Sequence, residues 1–317
     1  MTRPFIVLDT MFHDLVPPEA RVERVAGGFG FTEGPVWRGD HLIFSDINHS
    51  RLVRWQELPE GPEVRTFRVD HPVLTDPPGI GHVNGTTLDL EDRLLVCGQG
   101  ARHLTRTEHD GSITVLASHF EGKRLNSPND VVVHSSGAIY FTDPPWGLRQ
   151  GTEGKELPFQ GVYRIGVDGS LALMTDSLAH PNGLAFTPDE QRLYVGDDLS
   201  GQVYIFDVRQ DGTLANGKVF AHTPLPAPLG PEDGPPDGMK VDSAGNLYVT
   251  SIGGVWIFAP DARPLGMILL PEVVANAAWG EADWQTLFLT ATTSLYRIRL
   301  NARGIPVGSA RLKRTHA

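Results

Sequence analysis

Apolar and polar residues alternate along most of the chain in runs of four to seven, and each run ends at a turn signal. Between residues 130 and 175 the runs DVVVH, AIYFT, VYRI and LALMT follow one another, punctuated by Ser136-Gly137 and Asp168-Gly169. Alternation with period two predicts half-buried β-strands, and Ser-Gly or Asp-Gly pairs predict tight connections between them. The same four-run unit recurs as TTLDL, RLLVC, HLTRT and ITVLA. It returns as GLAFT, RLYVGD, QVYIFDV and, after Asp211-Gly212, GKVFA, and again as MKV, NLYVT, VWIFA and PLGMILL. No segment keeps a 3.6-residue apolar period over a dozen positions, so helices are expected to be minor.

A polar marker stands at the head of each unit: Glu33 in FTEGPVW, Asn84 in HVNGTTLD, Asn129 in SPNDVVV, Asn182 in HPNGLAF, Asp237 in PPDGMKV and Asn276 in VANAAWG. Successive markers are 51, 45, 53, 55 and 39 residues apart. An aliphatic residue of the next strand follows each after nine to eleven places (Leu42, Leu94, Ile139, Leu193, Leu247, Leu287). Periods of this size with four strands each predict propeller blades. The expected fold is all-β, a six-bladed β-propeller occupying residues 1–317 as one domain. The sixth unit supplies AAWG, TLFLT and SLYRIRL but no fourth strand. The segment ARVERVA, ahead of Glu33, is expected to fill that place, so that an N-terminal strand closes the ring and removes an open sheet edge.

Two segments depart from the strand pattern: residues 144–160, and residues 223–236, which lead directly into Asp237. Both are long enough to be functional loops, and tolerated surface insertions read equally well.

The formal net charge is −11, which argues against nucleic acid or an anionic membrane as partner. The one cysteine, Cys97 in RLLVC, cannot form an internal disulfide and reads as a small buried hydrophobe. The apolar run before Asp9 is too short for a signal-peptide core, and no run approaches transmembrane length. A cytoplasmic protein acting as a monomer or homodimer is the expectation.

If each marker begins the innermost strand of its blade, all six converge on the axis. Glu33 and Asp237 would bring carboxylates, and Asn129 and Asn182 would bring carboxamide oxygens, the donors a hard divalent cation takes. No marker is His or Cys, which disfavours structural zinc. One Asn-Gly or Asp-Gly pair would be a turn signal and nothing more. Six in register, with Glu at one of them, favour a shared site. There is no GxSxG elbow, no HExxH and no complete EF-hand loop.

The stretches FTEGPVW, GKRLNSPNDVVV with YFTDPPWG, HPNGLAFTPDEQRLYVGD and PPDGMKVDSAGNLYVT closely resemble the SMP-30/gluconolactonase/LRE-like family, in its bacterial gluconolactonase branch. The likeness runs from about residue 20 to 300. It implies a six-bladed propeller with one catalytic divalent metal in its channel, Ca²⁺ first, with Zn²⁺, Mn²⁺ or Fe²⁺ as alternatives. By motif, the metal ligands fall on Glu33, Asn129, Asn182 and Asp237, with Asp237 also the catalytic acid/base. Substrate contacts fall on Asn84, Arg124 and Asn129, while Asn276 matches no firm family position. The implied activity is opening of sugar lactones, such as glucono-1,5-lactone to gluconate. Another lactone such as a pentonolactone, an organophosphate ester, or non-catalytic metal or ligand binding are the alternatives. Retention of both Glu33 and Asp237 counts against the last.

Trp146 offers an aromatic wall for the CH face of a sugar ring, or packs its own loop. His82, His103 and His180 lie near markers, with structural roles favoured. Asp143 reads either as an acceptor supporting the site from behind or as a turn cap before two prolines, the turn favoured, and Glu232 and Asp233 read as solvated acids.

Overall fold

The computed structural model describes residues 4–69, 83–148, 154–225 and 234–312. His82, Glu232, Asp233 and the last five residues lie outside them. Six antiparallel sheets form at the expected places and pack as a six-bladed β-propeller. Blade 3, for example, runs Val131–Val133, Ile139–Asp143, Gly161–Ile165 and Leu171–Thr175. Among the described residues, helix is confined to Phe12–Leu15, Ser309–Leu312 and a short 3₁₀ turn at Ile47–His49. None is long and apolar enough to cross a membrane.

The ring closes as the sequence suggests. Glu23–Gly27 is the outermost strand of blade 6, with Glu23 opposite Arg297 and Gly27 opposite Ser294. A second N-terminal strand, Phe5–Val7, adds a fifth strand to blade 5 by pairing with Gly266–Ile268. Phe12 then buries completely in the blade 5 and blade 6 core beside Leu265 and Ile268. Three apolar residues carry too little local signal to foresee this pairing, whose partner lies some 260 residues away.

Apolar faces of adjacent blades interdigitate. Trp37 of blade 1 stacks on Phe288 of blade 6 at 5.3 Å and 12°, and Leu95 and Cys97 of blade 2 share a core with Phe141 and Tyr163 of blade 3. Cys97 is fully buried there and burial pushes its thiol up, as befits an inert core residue.

The innermost strands touch in a closed circle, and each seam has its own hydrogen bond. Thr86 Oγ1 donates to Gly34 O (2.5 Å) between blades 1 and 2, and Gly85 N–H to Asn129 O (2.7 Å) between blades 2 and 3. The Asp130 carboxylate accepts from the Leu184 N–H of blade 4. Gly183 N–H donates to Asp237 O (3.2 Å), and Gly238 N–H to Ala275 O (2.7 Å). Asn276 Nδ2 donates to Glu33 Oε2 (3.0 Å) and completes the circle.

This circle explains why glycine follows so many markers. A Cβ on Gly85 would lie 2.5 Å from Asn129 O, and one on Gly183 only 2.2 Å from Asp237 O. The next blade's main chain occupies the place of a side chain. The strands also differ from the simple expectation that each marker heads its strand. Glu33, Asn182 and Asn276 lie inside strands whose register shifts at the marker. Asn84, Asn129 and Asp237 lie two residues before theirs. A bulge re-aims one side chain without interrupting the sheet.

Replacing Gly183 by Ala is therefore expected to cost about 2–3 kcal/mol through overpacking against backbone. Chemical denaturation of Gly183→Ala checks this, with the same substitution at the open Gly111 turn showing only the strain of its positive φ.

Candidate metal centre and channel

The hydrogen-bonded circle holds the marker side chains around one channel. Asn182 hydrogen-bonds the Asp237 carboxylate, yet its Oδ1 is buried with no partner. Asn84 donates to Gln99 Oε1, and its own Oδ1 is likewise buried and unpartnered. Asn129 is 5% exposed, and its carboxamide makes no hydrogen bond among the described residues. Buried carboxamide oxygens without donors are rare in folded proteins and costly unless something else satisfies them.

The carboxylates have partners but are strongly desolvated. Glu33 is 3% exposed, and burial, reinforced by the charge of Asp130, pushes its carboxyl up to about 7. The Asp237 carboxyl is held well above the ordinary range, by burial first and then by the charges of Glu33, Asp198 and Asp130. Asp237 itself keeps partial contact with the channel solvent. Asp198, half-buried at the end of Arg192–Asp197, is pushed to about 6 by burial and by Asp197.

This donor set fits a hard cation: two acidic side chains, unsatisfied amide oxygens and no imidazole or thiolate. Among the described residues, no three Asp, Glu, His or Cys side chains converge as a metal cluster. Two carboxylates with amide oxygens are therefore the set available, from Glu33, Asn129, Asn182 and Asp237.

Asp130 and Lys240, not singled out from sequence, complete the axis together with the sixth marker, Asn276. Asp130, 3% exposed, stands where four of the other five blades have glycine, and its Oδ1 accepts from the Val131 N–H (2.9 Å). Asn276 is a hub rather than a filler: besides Glu33 it reaches Asp130 Oδ2 (3.5 Å), and its Oδ1 accepts from the Ala277 N–H (2.8 Å). Lys240 Nζ also donates to that Oδ1 (3.1 Å). The available signals were Asp130 breaking the marker-glycine rule, and one lysine inside the apolar run MKV.

Asp143 corrects the expectation of a turn cap. Fully buried, it accepts from the Asn126 N–H and the Ser127 N–H, each at 2.7 Å, and so holds the LNSP segment that delivers Asn129. Burial lifts its carboxyl to about 7 despite those bonds.

Trp146, 42% exposed, sets its ring edge-on to His180 at 4.6 Å, which joins the described part of the 144–160 insertion to the segment ahead of Asn182. His180 Nδ1 is buried without a partner. The ends of the other insertion are clamped by Thr223 Oγ1 donating to Gly234 O at 2.6 Å. Among the described residues, no hydrogen bond or ion pair ties Arg124 to the markers. It lies on a small hairpin, His119–Phe120 with Lys123–Arg124, where its N–H donates to Glu156 Oε2 (2.6 Å). The buried arginine in that region is Arg102, whose Nε donates to Leu125 O (2.6 Å) and Nη1 to Gly154 O (2.9 Å).

A family model described as the SMP-30/Gluconolactonase/LRE-like region matches residues 31–293. The gluconolactonase of Zymomonas mobilis subsp. mobilis is 33% identical over 298 residues, spanning 89% of this chain and 82% of that protein. The pentonolactonase XacC of Haloferax volcanii is 27% identical over 267 residues, 81% of this chain and 80% of that one. Among solved structures, a gluconolactonase from Xanthomonas campestris superposes with a TM-score of 0.79 at 36% identity, covering 94% of this chain and 95% of that chain.

The raised Glu33 carboxyl gives a signed pH dependence. In the metal-free chain, folded Glu33 keeps its proton up to about pH 7, whereas its ordinary value is 4.5. Its contribution to stability is therefore intact below 4.5 and lost as pH rises through 7, by at most about 3 kcal/mol. Thermal unfolding of the chelated protein should show Tm falling across this window, with a flatter profile in Glu33→Gln. Divalent-ion affinity should run the other way, rising with pH until Glu33 is ionised.

Proposed function

The chain belongs to the SMP-30/Gluconolactonase/LRE-like family, and from that premise we propose that it is a metal-dependent hydrolase of sugar lactones. The observation that carries this reading is the pairing of buried, unpartnered carboxamide oxygens with two carboxylates of raised pKa around a single channel. Glu33, Asn129, Asn182 and Asp237 would hold the ion. Bound there, a divalent cation would polarise the lactone carbonyl, offset the charge of the developing oxyanion and keep Asp237 ionised at neutral pH.

The rest of the reaction falls to side chains. Asp237, oriented by the Asn182 carboxamide, accepts the proton of the attacking water. It returns that proton to the ring oxygen as the acyl C–O bond breaks, so the residue ends the cycle as it began. The product is an aldonic acid, whose anion is not retained by a protein of net charge −11. Asn84, steadied by Gln99, offers its free Oδ1 to a substrate hydroxyl. Trp146 presents an exposed aromatic face suited to the CH face of a sugar ring. Five- and six-carbon aldonolactones both fall within this class, as the activities named for the Zymomonas and Haloferax relatives illustrate.

Proton release on a panel of aldonolactones, with and without chelator, tests this reading. Turnover should fall to the uncatalysed rate after chelation and return with added divalent ion; chelator-insensitive turnover would defeat the metal reading. Asp237→Asn should lower kcat by roughly 10³-fold or more with unfolding behaviour retained, and full activity in it would remove Asp237 from the proton-accepting role. Trp146→Ala should raise KM roughly tenfold while leaving stability nearly unchanged, because the ring is exposed.

A further inference from the structure

Beyond the markers the channel turns apolar. A cavity of ≈ 90 Å³ is lined by residues of all six innermost strands, among them Val36, Leu88, Val133, Phe186 and Trp279, and Ile305–Gly308 lies across its far side. Lys240, on Met239–Val241, stands between this cavity and the carboxylates. Its Nζ donates to two neutral oxygens, Met239 O (3.0 Å) and Asn276 Oδ1 (3.1 Å). No carboxylate among the described residues lies within ion-pair distance of it, yet its charge acts on both Glu33 and Asp130. Asn276 sits between them, its Oδ1 toward the ammonium and its Nδ2 toward the two carboxylates.

An ammonium held this way is not neutralised by a paired anion. Its charge remains available to the whole axis, where the carboxyls of Glu33, Asp130, Asp198 and Asp237 outnumber the one fixed positive charge.

We propose that Lys240 is a built-in cation that sets the charge of the ion accepted at the axis. The inference rests on the metal-dependent reading above. Removing the ammonium deepens the negative potential for every cation, and more for a trivalent ion than for a divalent one. A selectivity ratio therefore isolates the charge effect from any general loosening of the site.

The test is calorimetric titration of the chelator-stripped full chain with Ca²⁺ and, separately, La³⁺. The wild type is compared with Lys240→Gln and with Lys240→Arg, which keeps the charge; Lys240→Met serves as the neutral variant if Lys240→Gln does not fold. The La³⁺/Ca²⁺ affinity ratio should rise roughly tenfold or more in the neutral variant and stay near the wild-type value in Lys240→Arg. An unchanged ratio in a folded neutral variant, or loss of all ion binding in it, overturns the proposal while leaving the metal reading standing if the wild type binds Ca²⁺. A wild-type chain that binds neither ion overturns both.

Discussion

Concentrated negative charge in a low-dielectric channel is the constraint on which the rest of the structure depends. Asp237 feels the charges of Glu33 and Asp130 across the axis, and burial is the largest cause of the upward shift of each of the three carboxyls. Desolvating even one carboxylate costs several kcal/mol unless it is paired or well hydrogen-bonded. The fold meets part of that cost with the Asn276 amide, main-chain N–H groups and the Lys240 ammonium. The unpartnered oxygens of Asn84 and Asn182 leave acceptor capacity in the channel for an ion or a substrate hydroxyl.

The architecture around this centre is economical because the same backbone positions serve closure and chemistry. Gly183 N–H links blade 4 to blade 5 by donating to Asp237 O, while the Asp237 side chain is left to the channel. The Asn129 main chain receives the Gly85 N–H while its carboxamide stays uncommitted. Small residues after the markers let neighbouring main chains approach, and bulges at Glu33, Asn182 and Asn276 re-aim the side chains. Ring closure and site geometry therefore cannot be altered independently.

Much of this was legible along the chain, and the illegible parts share a cause. Period-two alternation and turn pairs are local, so the blades could be read from short windows. The short sixth unit pointed to Glu23–Gly27 as the closing strand because a missing element is itself a pattern. Phe5–Val7 gave no comparable signal, since its partner in blade 5 is recognisable only once the ring exists. Asp130 and Lys240 act through Asn276 of another blade, and proximity across seams leaves no mark in local spacing; Asn276 itself stood in register as the sixth marker, but its partners did not show there. Asp143 looked like a turn residue beside two prolines, yet its two backbone bonds position the segment that carries Asn129. Arg124, close to Asn129 in sequence, lies on a small hairpin with its N–H on Glu156.

The account stands on one cation shared by four markers from four blades. Anomalous diffraction from crystals grown with Mn²⁺ tests this most directly. A single axial peak within about 2–2.5 Å of oxygens from Glu33, Asn129, Asn182 and Asp237 is the predicted result. No axial peak, or a peak held by other residues, would contradict it.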